Sequence, residues 1–233
     1  MKKTTNNMIL GDTHRIQLIC KTMEVEGLLD PSIAEKGCGA LWNIAHDSDD
    51  NQKTIGDTGG VVIILKMIET HGASNANVAW RGCGALTSLA CNDTNRKIIE
   101  DGGGVALICR MMERHGASNT NVAENGCAAL RDLAHNDTSS NLIGATGGVA
   151  LICRMMEIHG AQSPSVAWRG CGALKSLACN DDYNRKIIGQ SGGIAVLCMV
   201  MKRHGASSAS VAEQACGALK SLACNDANRK IIG

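Results

Sequence analysis

The chain has 233 residues and a nearly balanced charge, with 23 Lys and Arg against 22 Asp and Glu. That balance lacks the basic surplus that nucleic-acid-binding proteins carry. Hydrophobic residues make up 44% and charged residues 19%, which excludes a disordered chain. Aromatic residues make up only 2%, with no Phe, which favours thin, regular layers packed from aliphatic and small side chains.

The first residues and the apolar runs bear on location. The start, MKKTTNNMILG, has two lysines but no apolar segment that would make a secretory signal. The longest apolar runs, such as residues 61–65, are too short to span a bilayer. We therefore expect a soluble protein of the cytoplasm, with the nucleus as the alternative. The twelve cysteines include no C-x-x-C pair, and we expect them to be free, buried and structural.

A pattern about 44 residues long recurs along the chain. Its marker cysteine, in the motif G-C-[GA]-A-L or A-C-G-A-L, recurs in steps of 44 or 45 residues at Cys38, Cys83, Cys127, Cys171 and Cys216. A Gly-Gly pair begins at Gly59, Gly103, Gly147 and Gly192. A His-Gly pair begins at His71, His115, His159 and His204. The chain is therefore predicted to be a repeat protein.

The first repeat, residues 1–48, has no Gly-Gly pair and is predicted to be an N-terminal cap. We expect one helix from about His14 to Gly27 and another after Pro31. The next repeats are expected at residues 49–92, 93–136, 137–180 and 181–225, all within one domain, 1–233. Residues 226–233 begin a sixth repeat, so we expect either a longer protein or an exposed last layer that offers a surface for self-association.

Each complete repeat is predicted to contain one short helix and two longer ones. In the fifth repeat the short helix spans about residues 184–188 and ends before the Gly192-Gly193 pair. The second helix, about residues 194–204, is apolar on most sides. We expect it to end at His204-Gly205, with the imidazole near its last carbonyls and the glycine in a left-handed cap.

The third helix of the fifth repeat is predicted at about residues 211–224. Ser210 is the expected N-cap, and apolar residues follow at helical spacing. No single repeat can bury its apolar faces alone, whereas stacked repeats can. The pattern therefore predicts an all-α solenoid.

The repeat resembles the armadillo repeat. The segments NRKIIGQSGGIAVL and VAEQACGALKSLACND carry the likeness, through the Gly-Gly pair after the short helix and A-L-x-[SN]-L-A near the end of the third helix. The resemblance covers nearly the whole chain. It implies a right-handed superhelix whose third helices line a concave groove that binds extended peptides or partner proteins. We therefore expect a non-enzymatic scaffold or adaptor with no cofactor and no metal.

The chain departs from the armadillo pattern in two respects. The loop after the second helix, HGASNANV and its copies, is longer than usual. The Trp-x-x-x-Asn ladder of importin-alpha is also missing. Its Trp positions align with Gly39, Gly84, Ala128, Gly172 and Gly217, and its Asn positions with Asn43, Ser88, Asp132, Ser176 and Ser221. Recognition of a basic nuclear-localisation peptide by that ladder is therefore not expected.

The third helices carry the candidate partner-binding residues. If Leu41, Ile44, Ala45 and their copies face inward, four columns of side chains share one face. The candidates in these columns are Glu35, Lys36, Trp42, Asn43, Trp80, Arg81, Ser88, Glu124, Asn125, Arg131, Asp132, Trp168, Arg169, Lys175, Ser176, Glu213, Gln214 and Lys220. Two of the columns alternate, because the second and fourth repeats carry Trp-Arg where the others carry Glu and a polar residue.

Trp80 and Trp168 have two interpretations. As anchors, each with an adjacent Arg, they would bind a partner, and two layers of about 10 Å each would space them for about six extended residues. Glycines at Gly84 and Gly172 would leave a pocket beside each indole. Alternatively, each Trp packs on a neighbouring helix and its Arg pairs with Glu124 or Glu213.

The sequence also allows functions other than peptide binding. The short helices carry cations that could form a ridge for nucleic acid or an anionic surface, at Lys53, Arg96, Lys97, Arg185, Lys186, Arg229 and Lys230. A purely structural spacer is a further alternative. A column of His and Cys at the third-helix ends supplies one residue per layer, too few to complete a zinc shell. Because nearly every polar residue has a copy in another repeat, no catalytic group stands out.

Overall fold

The computed structural model describes residues 2–179 and 181–233, with side chains described from residue 11 onward. Regular structure within these ranges is helical throughout. The helices are α1 (Lys2–Thr22), α2 (Pro31–Ala45), α3 (Asp49–Asp57), α4 (Gly60–Met67), α5 (Ala76–Leu89), α6 (Asp93–Asp101), α7 (Gly104–Met111), α8 (Thr120–Leu133), α9 (Asp137–Ala145), α10 (Gly148–His159), α11 (Pro164–Ala178), α12 (Asp182–Gln190), α13 (Gly193–His204), α14 (Ala209–Leu222) and α15 (Asp226–Ile232). Three of them, α1, α4 and α7, continue through a π-helical turn at Met23–Gly27, Ile68–Gly72 and Met112–Gly116.

The chain divides into two compact units, Met1–Leu107 and Ile108–Gly233, called here the N-terminal and C-terminal units. The division falls within α7, in the third repeat. In the N-terminal unit, the third helix α2 packs along the third helix α5. In the C-terminal unit, α11 packs along both α8 and α14. The predicted short, second and third helices are thus confirmed, and stacking of third helices dominates the packing within each unit. That the repeats form one domain stays a prediction.

The Gly-Gly pairs end the short helices and start the second ones, as predicted. The first glycine of each pair has a positive φ, which is 79° at Gly147 and 76° at Gly192. Such angles are left-handed and strain any residue with a Cβ. The second glycine is required for a different reason. A Cβ at Gly148 would lie 2.7 Å from Cγ2 and 2.9 Å from the carbonyl oxygen of Ile143.

The His-Gly pairs act differently from the prediction. Gly205 has φ −59°, so the expected left-handed cap is wrong. The imidazole of His204 donates from Nε2 to the carbonyl oxygen of Gly160, 2.8 Å away and one repeat earlier. His159 makes the same bond to Gly116 at 2.7 Å. Each of these histidines therefore caps the second helix of the preceding repeat and ties two layers together.

Several predicted helix ends are displaced. The short helix α12 extends past the predicted residues 184–188 at both ends. The helix expected to start near His14 begins at Lys2. The N-cap of α14 is Ser208, whose side chain accepts from the backbone N–H of Val211, and the prediction of Ser210 is wrong. Ser208 has the extended backbone that an N-cap needs.

Buried asparagines join consecutive short helices, a feature that the sequence patterns did not predict. Asn184 is fully buried, and its side-chain N–H donates to the carbonyl oxygen of Ser140 at 3.0 Å. Asn95 makes the equivalent bond to Gln52 at 2.8 Å. A Cβ at Gly144 would collide with Oδ1 of Asn184, which explains the glycine. The layers are therefore joined by specific polar bonds as well as by apolar contact.

None of the twelve cysteines is in a disulfide, and burial divides them into two groups. The expectation of burial is confirmed for Cys20, Cys38, Cys83, Cys109, Cys127, Cys153 and Cys171. It is wrong for the exposed residues Cys91, Cys179, Cys198, Cys216 and Cys224. Burial raises the pKa of the Cys171 thiol to about 12, so little reactive thiolate forms there.

Within the described ranges, no single helix is long and apolar enough to cross a membrane. Taken together, α9 and α10 have the length and apolar composition of a membrane span, but a bend of 70° separates them.

Candidate protein-binding face

The N-terminal unit presents the candidate residues of α2 and α5 on what we call the N-terminal face. Its members are Glu35, Lys36, Trp42, Asn43, Trp80, Arg81 and Ser88. Lys36 and Asn43 are exposed, whereas the glutamate, both tryptophans and the arginine are half-buried. Ser88, also a candidate, is buried at 9% exposure, which leaves little of its side chain accessible to a partner.

Two indoles and an ion pair form the centre of the N-terminal face. The rings of Trp42 and Trp80 meet edge to face, with centroids 5.7 Å apart. The guanidinium of Arg81 lies 4.5 Å above the Trp80 ring. Its Nε donates to Oε1 of Glu35 at 3.2 Å, which links α5 to α2. Asn77 fixes the other end of Trp80 by accepting from its indole N–H at 3.2 Å. The cluster is therefore pre-organised and partly open to solvent.

The space expected beside Trp80 is filled by another side chain. A Cβ at Gly84 would lie 2.8 Å from three ring atoms of Trp42. The indole of the preceding repeat therefore fills the space that a side chain at Gly84 would need. Arg81 covers Gly39 in the same way, with Nη1 2.9 Å from the position of a Cβ. The predicted empty pocket is wrong. The glycines let neighbouring side chains lie flat across the third helices.

The C-terminal unit presents the matching residues of α8, α11 and α14, which we call the C-terminal face. Its members are Glu124, Asn125, Arg131, Asp132, Trp168, Arg169, Lys175, Ser176, Glu213, Gln214 and Lys220. Glu213 and Lys220 are exposed, and Asn125 is buried at 8% exposure. Because the others are half-buried, all of them except Asn125 remain accessible to a partner.

Two guanidinium groups share one indole on the C-terminal face. The Arg169 carbon Cζ lies 4.7 Å from the centroid of Trp168, and that of Arg131 lies 5.2 Å from it. Arg131 also donates twice to Asp132, from Nε at 2.6 Å and from Nη2 at 3.0 Å. Such bidentate pairs are strong and fix geometry. A rigid aromatic and cationic platform results.

Arg169 is less well satisfied than Arg131. Its Nε is buried and has no hydrogen-bond acceptor within reach. Oε1 of Glu124 lies 3.9 Å from that Nε, too far for a hydrogen bond. Burial lowers the pKa of Arg169, the nearby Arg131 lowers it further, and Glu124 and Asp132 oppose the shift. The guanidinium stays charged, since an arginine titrates far above neutral pH.

Long cationic side chains lie along the C-terminal face, one for each repeat. The Cδ of Arg131 lies 3.0 Å from where a Cβ of Gly172 would be. Lys175 covers Gly217 equally closely, at 2.9 Å, and its Nζ donates to Oε1 of Gln214 at 3.3 Å. The pocket predicted beside Trp168 at Gly172 is therefore occupied. The absence of a side chain at these glycines lets the long side chains of neighbouring layers pack directly against the helix backbone.

The structure agrees in part with each interpretation of the tryptophans, as exposed anchors and as packed side chains. Trp80 and Trp168 pack against neighbouring side chains, and each adjacent Arg faces a glutamate of the preceding repeat. That glutamate is Glu35 for Arg81, which the sequence did not predict, and Glu124 for Arg169, as predicted. Yet neither indole is buried. A packed, half-exposed aromatic with a stacked arginine is the type of group that anchors protein interfaces.

The basic ridge of the short helices is largely engaged in structural bonds. Arg96 donates from Nε to the carbonyl oxygen of Ala90 at 3.1 Å. Arg185 donates to the carbonyl oxygen of Ala178 at 2.8 Å, and Arg229 donates to that of Ala223, at the end of the preceding third helix. These arginines cap orphan carbonyls. The patterns missed this role, although the recurring N-R-K motif so close to a helix end could have indicated it.

The described residues include no group of three or more His, Cys, Asp or Glu side chains that could hold a metal ion.

No protein-family model matches the chain, and no curated protein matches its sequence. Solved structures do match. A designed armadillo repeat protein, YIII(Dq)4CqI, has a TM-score of 0.77 at 14% identity, covering 93% of this chain and 86% of its own. An engineered protein has a TM-score of 0.79 at 18% identity, with coverages of 93% and 85%.

A second designed armadillo repeat protein, YIII(Dq.V1)4CPAF, was solved in complex with the peptide (KR)4. Its TM-score is 0.71 at 13% identity, with 89% of this chain and 81% of that chain covered. At such identities the likeness shows fold alone. The chain is therefore an α-solenoid of armadillo-like repeats.

Proposed function

We propose that the protein is a non-enzymatic scaffold that binds an extended peptide or a partner protein on the faces of its third helices. The observation that carries the proposal is the pair of half-exposed tryptophans, Trp80 and Trp168, each with an arginine stacked on its ring. Tryptophan and arginine are enriched among the few residues that supply most of the binding free energy at protein interfaces. Their neighbours already hold them in place, so little ordering entropy is lost on binding.

The similar designed protein that was solved with a peptide supports this proposal. The peptide there is (KR)4, a basic sequence. The present chain has glycine or alanine where importin-alpha has its tryptophans, and it places its own tryptophans at different positions of the third helices. We therefore propose the same general mode of binding with different anchors and a different ligand.

The geometry favours the third-helix faces over the basic ridge. The ridge arginines Arg96 and Arg185 donate their Nε hydrogens to backbone carbonyls, which orients their guanidinium groups toward the protein. Nucleic-acid binding would rest on the exposed Lys97, Lys186 and Lys230. It would also weaken steeply with salt. Binding that is insensitive to salt would exclude this alternative.

A library of random twelve-residue peptides provides a direct test. Peptides selected on the intact protein are expected to lose at least about tenfold in affinity when Trp168 or Trp80 is replaced with alanine, as for an interface hot spot. Tyr183→Ala is the matched control, because Tyr183 is 52% exposed but lies on α12. It should leave affinity unchanged, as measured by fluorescence anisotropy.

Two outcomes would contradict the proposal. The first is that selected peptides bind both tryptophan variants as tightly as the original protein. The second is that Trp80→Ala and Trp168→Ala unfold the protein, which would assign the indoles to a structural spacer. Thermal melting of each variant separates loss of binding from loss of fold.

A further inference from the structure

The two Trp-Arg clusters have matching positions but different electrostatics. On the N-terminal face, Arg81 is satisfied by Glu35 at 3.2 Å, and an uncharged indole, Trp42, lies against the cluster. On the C-terminal face, the position of Trp42 is taken by Arg131. Its guanidinium also lies over Trp168, beside that of Arg169. The C-terminal cluster therefore carries one more cation around a single indole, and one more acid, because Asp132 stands where the N-terminal face has Asn43.

The carboxylates near this cluster leave Arg169 short of an acceptor. Asp132 is held by two hydrogen bonds from Arg131. Glu124 approaches Arg169 only to 3.9 Å, and the buried Nε has no acceptor. A buried donor without a partner costs free energy, more so when it is charged. The Arg169 side chain is nevertheless 26% exposed, so an anionic group arriving from solvent could pair with the accessible part of the guanidinium and compensate its charge.

The next cation along the face is also incompletely neutralised. Lys175 donates to Gln214, which is a neutral acceptor. Lys220 occupies the equivalent position one repeat later and is exposed. One acid, Glu213, is exposed on the same helix as Lys220. The cations Arg131, Lys175 and Lys220 thus recur once per layer, about 10 Å apart by the usual spacing of packed helices.

We propose that the C-terminal face binds an acidic peptide, whose carboxylates pair with Arg169 and Lys175 of α11 and with Lys220 of the next layer. This inference rests on the proposed function and names the chemistry of its ligand. A planar carboxylate matches the guanidinium fork. Cations spread one per layer suit an extended chain with several single charges, because about three extended residues span each step. Recognition of one phosphate group is less favoured, because Arg131, the second arginine of the cluster, is already bound by Asp132 and only Arg169 is left without an acceptor.

Three labelled peptides of twelve residues test the inference on the full chain. Glutamate alternates with serine in the first, and glutamine or lysine replaces the glutamate in the other two. Anisotropy should give the glutamate peptide at least tenfold tighter binding than the glutamine peptide and no measurable binding for the lysine peptide. Arg169→Gln should weaken binding of the glutamate peptide at least tenfold.

Two further variants control for charge in general and for folding. Lys186→Gln removes an exposed cation of the same compact unit, on α12, and should leave binding unchanged. Arg169→Lys keeps the charge without the fork and should weaken binding less than Arg169→Gln does. If Arg169→Gln fails to fold, the comparison of Arg169→Lys with the original protein still decides, since equal binding would refute the paired geometry.

The results separate this inference from the proposed function. Equal binding of the glutamate and glutamine peptides, no binding of the glutamate peptide, or an unchanged affinity in Arg169→Gln would overturn the acidic ligand. If the glutamine or lysine peptide binds and Trp168→Ala abolishes that binding, the proposed function stands and only the acidic ligand is refuted. If no selected peptide depends on Trp80 or Trp168, the proposed function itself fails.

Discussion

Replacing Leu174 with alanine is expected to lower the free energy of unfolding by about 3–5 kcal/mol. Leu174 is fully buried in α11, which packs along third helices on both sides. The loss combines the transfer free energy of the missing atoms with the cavity that they leave. Urea denaturation followed by circular dichroism measures it. Hydrogen exchange should show that the destabilisation is greatest in α8, α11 and α14, because layers of a solenoid contact only their neighbours.

Leu219 supplies a matched control for this prediction. It has the same place in its repeat as Leu174, in α14, but is only half-buried. Leu219→Ala should cost about 1–2 kcal/mol, because less apolar surface and a smaller cavity are involved. Equal losses at the two leucines would show that burial between stacked layers is not the main source of stability.

Replacing Gly147 with valine is expected to cost about 2–3 kcal/mol, since its φ of 79° is strained for a β-branched residue. Space is not the reason, because a Cβ at this position would meet nothing within 4 Å. Gly147→Asn should cost about 1 kcal/mol or less, because asparagine tolerates left-handed angles. The two variants differ in conformational preference at one exposed site, and their urea midpoints should separate accordingly. Coincident midpoints would contradict the backbone explanation.

The fold was predictable because its determinants recur locally. Each Gly-Gly pair marks a left-handed residue followed by a close backbone approach, and glycine alone meets both demands. Helix ends were less predictable. Ser208 and Ser210 are equally good caps by composition, and the extended backbone at Ser208 decides between them. The prediction that His204 caps its own helix failed for another reason. Its acceptor, Gly160, is one repeat away, and no local sequence rule identifies it.

The candidate site was predictable as a set of positions but not as a geometry. Helical periodicity placed Trp80 and Trp168 on the third helices but left open whether they are exposed or packed, and the structure shows both half-buried. It could not show that Trp42 would fill the space over Gly84, because that contact depends on the stagger between two layers. The unsatisfied Nε of Arg169 was equally beyond reach, since it follows from a difference of less than 1 Å between two similar ion pairs.

The emission of the tryptophans during a titration with a selected peptide tests the central claim most directly. The chain has three tryptophans, and Trp42, Trp80 and Trp168 all lie on the third-helix faces. A peptide bound there should change their emission in a saturable way, with the same midpoint as the anisotropy of the labelled peptide. A peptide that saturates the protein by anisotropy while the emission stays constant would show that its binding site lies elsewhere.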